Sequence, residues 1–257
     1  MEELISTELK QDKSEEKDAV ILPIIEEMMK VSLFLGHRKS KTHPRKKQHI
    51  FTTRNGMEII DLSKTLKGLN EALDFIKLKI TAGGKILLVG TTPSSKTAVE
   101  ETAKRLDMPY VVERWLGGTL TNFKTLSKRI SYFKKLRADR AAGKFDKYTK
   151  KERLDIDREI AKLTIKFSGT ENMEGMPEVI FVLDVPSHLT AIREGKIMLI
   201  PVVALVNTDV NPETVDFPIP ANDRGKMGID WILSKLEAIV GEAKNLAQSS
   251  APKSEKA

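Results

Sequence analysis

Cysteine is absent from all 257 residues, so no disulfide can staple this chain and no thiolate can bind a metal. No run of about 18 apolar residues occurs, and nothing is expected to span a membrane. The chain does not open on a basic segment followed by an apolar one, so a secretory signal is not expected and the cytoplasm is the expected compartment. No internal repeat is evident. Only one of the four histidines, His188, lies outside residues 37–49. Catalysis needs a nucleophile, base or metal grouping, and none is recognisable; the expectation is no enzyme and no cofactor.

Acid is also missing, locally. Residues 37–54 hold seven basic side chains and no acidic one, and residues 124–166 hold fifteen basic against six acidic. By contrast, residues 1–19 carry seven acids against three lysines, and 168–257 thirteen acids against eight bases. Signs segregated in this way read as the electrostatic footprint of nucleic-acid binding. An acidic membrane surface is the competitor, but no basic amphipathic stretch presents the exposed apolar face it would need. The polar, charged residues 1–19 and 248–257 are expected to be disordered tails.

Apolar spacing predicts a helix beginning at Pro23 (Ile24, Ile25, Met28, Met29, Leu33) and stopping near Gly36. Two short extended runs, 50–53 and 57–60, flank Asn55-Gly56, the best hairpin turn signal in the chain. A helix is expected from Asp61 to about Ala82. Strands at 85–90, 110–112, 179–184 and 202–206 then alternate with helices at 94–106, between 184 and 202, and from about Gly225 to Ala247. This alternation predicts an α/β fold: a doubly wound, flavodoxin-like, mostly parallel sheet with helices on both faces, formed by 20–119 and 169–247. Residues 120–168 interrupt it. Leu120, Phe123, Leu126, Ile130, Phe133 and Leu136, and then Ile156, Ile160, Leu163 and Phe167, recur at spacings of three and four. Gly143 is the expected stop between them. The expectation is an inserted, protruding antiparallel helical hairpin, largely Lys and Arg on its outer surfaces.

Several motifs carry candidate chemistry. Arg114-Trp-Leu-Gly-Gly-Thr-Leu-Thr-Asn-Phe-Lys-Thr125 places a sharp glycine turn before a helix, with Thr119 or Thr121 as its cap. Its donors and exposed amides suit an anion, phosphate in particular. Gly90-Thr-Thr-Pro-Ser-Ser-Lys-Thr97 mimics the phosphate-binding loop of nucleotide hydrolases, the alternative reading. Ser95 stands where that loop needs glycine, however, and Pro93 removes an amide donor. His37, His43 and His49 lie six apart among cations, a poor zinc arrangement, and fit stacking or hydrogen bonding on nucleic acid better. Asp61, Asp184, Asp209, Asp216 and Asp223 fall near strand ends, where α/β enzymes hold catalytic groups, yet lack partners; Asp223 reads as a helix cap.

The 114–125 run resembles, almost letter for letter, the signature of the second protein of the small ribosomal subunit, the S-two family in its bacterial form. The same family resemblance continues in Gly36-His37 and its basic loop, 50–62, 83–90, 179–184, 200–206 and 216–223, in the right order. It spans roughly residues 24–240. The resemblance implies a non-catalytic α/β body with a helical hairpin that binds small-subunit rRNA where head meets body. It also implies help in holding the large first protein of the subunit, with no metal and no small-molecule substrate. Carried over by position, the RNA-facing residues are Arg38, Lys39, Lys41, Arg45, Lys46, Lys47, Arg54, Asn55, Arg114, Asn122 and Lys124. Phe34, Thr42-His43, Arg224 and the segment 90–96 depart from the family pattern.

Overall fold

A computed structural model describes residues 21–173 and 175–250; the expected tail 1–19 lies outside it, as do 251–257 of the expected tail 248–257, whose first three residues belong instead to the last helix. Four strands read as unbroken apolar runs or nearly so: β4 (Ile86–Val89), β6 (Val179–Val182), β7 (Val202–Val206) and the short β5 (Tyr110–Val111). Strands of this kind must be covered on both faces. They join β8 (Phe217–Pro220) in a parallel sheet of order β5-β4-β6-β7-β8. Alternate residues divide two cores. Ile86, Leu88, Phe181, Val203 and Leu205 pack with α2 (Leu62–Thr81), α3 (Lys96–Leu106) and α7 (Lys226–Ser250). Leu87, Val89, Ile180, Val182 and Ala204 pack on the other face with α6 (Leu189–Ile197), Trp115 and Leu120. This is the doubly wound α/β arrangement.

β8 carries Pro218 and Pro220 and was not expected as a strand. Proline gives no N–H to a ladder, so it is tolerated at the sheet edge. There α2 covers it, and the Thr65 hydroxyl donates to the Pro220 carbonyl.

A second sheet also differs from expectation. The first helix, α1 (21–30), ends before Gly36, and Ser32 turns the chain at φ +58. Leu35–Arg38 then form β1, which pairs antiparallel with β3 (Met57–Ile60). β3 pairs on its other side with β2 (Ile50–Arg54). Four residues including a glycine carry no local strand signal; β3 supplies the partner. Asn55 and Gly56 join β2 to β3 with φ of +50 and +74, the two left-handed residues such a tight hairpin requires.

Between β5 and β6 lie α4 (Phe123–Ala141) and α5 (Lys150–Phe167). Gly143 (φ +70) stops α4, its N–H reaching the Arg140 carbonyl at 3.2 Å while Lys144 N–H reaches that of Asp139 at 3.1 Å. Thr149 and Glu152 open α5 with a capping box. Leu126, Ile130, Phe133 and Phe167 form a separate small core, with Ile160 and Leu163 partly buried against it. Ile156 stays outside this cluster, and Phe167 is the one buried residue of α5. Arg140 reaches Asp157 at 2.6 Å and the Tyr132 hydroxyl reaches Glu159 at 3.2 Å, linking the helices along their exposed sides.

Candidate nucleic-acid interface

The basic segment is held by its backbone and by one lysine. Gly36 lies so close to β7's end that a Cβ there would sit 2.6 Å from the Thr208 methyl and 2.9 Å from the Glu58 carbonyl. That approach lets His37 N–H donate to Thr208 Oγ1 at 2.8 Å and His43 N–H to the Thr208 carbonyl at 2.8 Å. Lys46 then departs from expectation. It is fully buried, and its Nζ donates to the Val206 carbonyl at 3.0 Å. Burial pushes its pKa down to about 7, against the raising pull of Asp209. A side chain enclosed in this way anchors the segment and cannot reach a phosphate. It is removed from the interface.

The other cations point outward. Arg38, Lys39, Lys41, Arg45, Lys47 and Arg54 are exposed, as is Asn55 at the hairpin tip. Arg45 pairs with Glu213. Among the described residues the other five form no ion pair. The histidines serve the protein instead: His37 Nε2 lies 3.3 Å from Asp209, and His43 Nδ1 accepts from Arg45 N–H. His49 is half-buried, and burial, with Lys46 and Lys64 nearby, lowers its pKa to about 4.

The glycine turn of 114–125 is formed, but its anion is already present. Glu194 of α6, 5% exposed, accepts from Trp115 Nε1 at 3.0 Å and from the amides of Gly118 and Leu120, each at 2.9 Å, and Thr121 at 3.3 Å. Gly118 makes the turn at φ +87, a conformation that costs a side chain. Burial of Glu194 would raise its pKa, but the hydrogen bonds from Trp115 and these amides outweigh it and hold the carboxyl below its ordinary value. The expectation of a phosphate on these amides is therefore corrected: a carboxylate from 74 residues along the chain fills the place. Trp115 is core, and neither Thr119 nor Thr121 caps α4, whose N-cap is Asn122. Arg114, Asn122 and Lys124 remain exposed. Beside them a cavity of about 250 Å³ is lined by Gly117, Gly118, Asn122, Arg129 and Lys166.

In open α/β sheets ligands bind where the strand order reverses, at the strands' carboxyl ends. Here that point lies between β4 and β6. Ser95 is fully buried with its hydroxyl 2.7 Å from that of Thr92, and Lys96 is paired to Glu113. Across the crevice Asp184 binds Ser187, through Oδ2 at 2.6 Å, and buried His188 holds the Asp184 carbonyl at 2.6 Å. Burial keeps His188 below its ordinary pKa, with Asp184 opposing. Asp61 caps α2 and Asp216 accepts Val202 N–H at 2.8 Å. Asp223 is no cap but a buried acceptor for Asn207 at 2.7 Å, and burial raises its pKa. Among the described residues no group of three or more His, Cys, Asp or Glu is placed to hold a metal.

The burial of Lys46, which the sequence reading placed on RNA, and the role of Glu194 both escaped that reading. Each is a charged residue in a charged or amphipathic stretch, and only the approach of a distant element marks it as internal.

A family model described as Ribosomal protein S2 matches residues 28–243. The small ribosomal subunit protein uS2 of Dehalococcoides mccartyi (strain 195) is 42% identical over 221 residues, covering 86% of this chain and 90% of that protein. Its namesake in Roseiflexus castenholzii is 42% identical over 214 residues, 83% of this chain and 81% of that protein. That of Bifidobacterium longum (strain DJO10A) is 42% identical over 230 residues, 89% and 82% respectively.

Proposed function

Since the chain belongs to the ribosomal protein S2 family, we propose that its two basic surfaces bind the RNA of the small ribosomal subunit and so fix its place there. Membership makes it a structural constituent of the small subunit and not an enzyme. The finer reading is a position at the junction of head and body, with a role in anchoring the large first protein of the subunit.

One observation carries the RNA reading: Arg38, Lys39, Lys41, Lys47 and Arg54 are exposed together on one segment with no acid to pair them. Cations so arranged repel one another until an anion neutralises them, and RNA phosphates do so with release of counterions. Arg114, Asn122, Lys124, Arg129 and Lys166 form a second basic surface at the base of α4 and α5. The domain reading assigns 120–168 to an antiparallel hairpin standing off the body; its separate apolar cluster and its helix-to-helix pairs support that.

The test is reconstitution. The purified chain should cosediment with small subunits stripped of their own copy, and with isolated small-subunit rRNA in low salt. Replacing Arg38, Lys39, Lys41 and Lys47 with Gln should abolish cosedimentation at moderate salt while leaving circular dichroism unchanged. Undiminished binding would remove the basic segment from the interface. A subunit that accepts the chain but not the first protein would separate the anchoring role from the RNA role.

A further inference from the structure

The acidic segment 1–19 lies outside the described residues, and the RNA reading leaves it without a role. By sequence it holds Glu2, Glu3, Glu8, Asp12, Glu15, Glu16 and Asp18 against three lysines, a net charge of −4. Only α1 and the turn residues 31–34 separate its end from β1, where the acid-free segment begins. There the fold gathers part of the opposite charge. Arg38 and Arg54 each pair with Met57 across the three-stranded sheet, so their side chains lie on one face of it. Lys39 N–H donates to the Gly56 carbonyl at 3.0 Å, which sets a third cation at the same end of the sheet. The acids of the neighbourhood are engaged elsewhere. Glu58 is 4% exposed and accepts from the Thr53 hydroxyl at 2.8 Å, Glu213 pairs with Arg45, and Asp61 pairs with Lys64.

We propose that in the RNA-free chain segment 1–19 docks on the exposed cations of 38–54 and is displaced when RNA binds. The inference rests on the RNA reading above and adds a regulation to it: the chain carries its own competitor. Reach is not limiting, since residues 1–19 can span up to about 65 Å and α1 is about 15 Å long. Tethering holds the acids near their target at an effective concentration of about a millimolar. Ion pairs at a surface are individually weak, so the contact is one that several phosphates together can displace. Incidental RNA with few contacts is thereby disfavoured against a site that offers many. Residues 124–166 are the rival surface. Six acids already lie among their fifteen bases, however, with Asp139, Asp155 and Asp157 paired there, and these repel an acidic segment.

Two measurements on the purified full chain test this. Without RNA, zero-length carbodiimide cross-linking should join carboxylates of 1–19 to Lys39, Lys41 or Lys47, with a yield that falls as salt rises. Binding is then read by anisotropy of a short labelled RNA duplex. The parent is compared with a variant whose five Glu and two Asp in 1–19 become Gln and Asn. The variant should bind about 5- to 30-fold tighter at low salt. Its log–log salt slope should be steeper by about 1 to 2 units, because in the parent salt loosens the competitor along with the RNA. A second variant with 1–19 permuted at constant composition should bind as the parent does. Cross-links that are absent, directed to 124–166 or confined to dimers overturn the docking. Cross-links to 38–54 with equal RNA affinity in parent and neutralised variant overturn the competition. If neither chain binds RNA at any salt, the RNA reading fails and the competition with it, while the cross-links still decide the docking.

Discussion

Lys46 and Glu194 are single charges whose surroundings invert their apparent role. Lys46 has a folded pKa of about 7 against an ordinary 10.5. Between those values the unfolded chain binds a proton that the folded chain lacks, so folding stability rises with pH across that window. From pH 7 to pH 9 this contribution amounts to about 2 kcal/mol. Lys46→Met should flatten the rise in urea midpoint over that range; an equally steep rise in the variant would deny the lysine its buried neutral state. For Glu194 stability also rises with pH, but in an acid window. Its folded pKa lies below the ordinary carboxyl value, so its contribution is present above that value and lost as pH falls through the folded pKa. Glu194→Gln puts an amide donor among amide donors. It should cost about 2 to 4 kcal/mol in urea unfolding, with a changed native emission from Trp115. An unshifted midpoint would show that the turn does not depend on the carboxylate.

At the scale of elements, α4 and α5 own a core separate from the two that sandwich the sheet. Phe133, fully buried, stacks tilted on Phe167 at 6.5 Å between centroids. Phe133→Ala should cost about 3 to 5 kcal/mol locally. Hydrogen exchange should locate the loss, with amides of 123–141 and 150–167 exchanging faster while those of β4, β6 and β7 keep their protection. Faster exchange in the sheet would mean the helices belong to the main core. Deleting 125–166 behind a short linker should for the same reason leave a cooperatively unfolding α/β body that incorporates poorly into small subunits. A product without a cooperative transition would contradict that division of the chain.

For the whole molecule, charge placement decides behaviour. The outward cations of 38–54 and the basic faces of α4 and α5 contrast with residues 168–257, which are net acidic. Binding to rRNA should weaken steeply with salt. Neutralising Arg38, Lys39, Lys41 and Lys47 together should reduce the log–log salt slope by about 2 to 3 units. Neutralising Lys46 alone should leave the slope unchanged, because that ammonium never meets a phosphate. A slope indifferent to the first four residues would move the contact to α4 and α5.

Local pattern alone determined much of this protein. Apolar runs marked β4, β6 and β7, spacings of three and four marked the helices, and Asn55-Gly56 marked the β2–β3 turn, because each signal lies within a few residues of its consequence. The acid-free cation run likewise marked the segment for which RNA contact is proposed. Tertiary structure alone decided which charges face inward. The carbonyl that receives Lys46 is 160 residues away, and the carboxylate that fills the 114–125 turn is 79 residues from Trp115. β1 and the proline-bearing β8 are strands only because β3 and β7 stand beside them. Hydrogen bonding and burial are satisfied between segments distant in sequence, and periodicity within one segment holds no record of what the fold will bring against it.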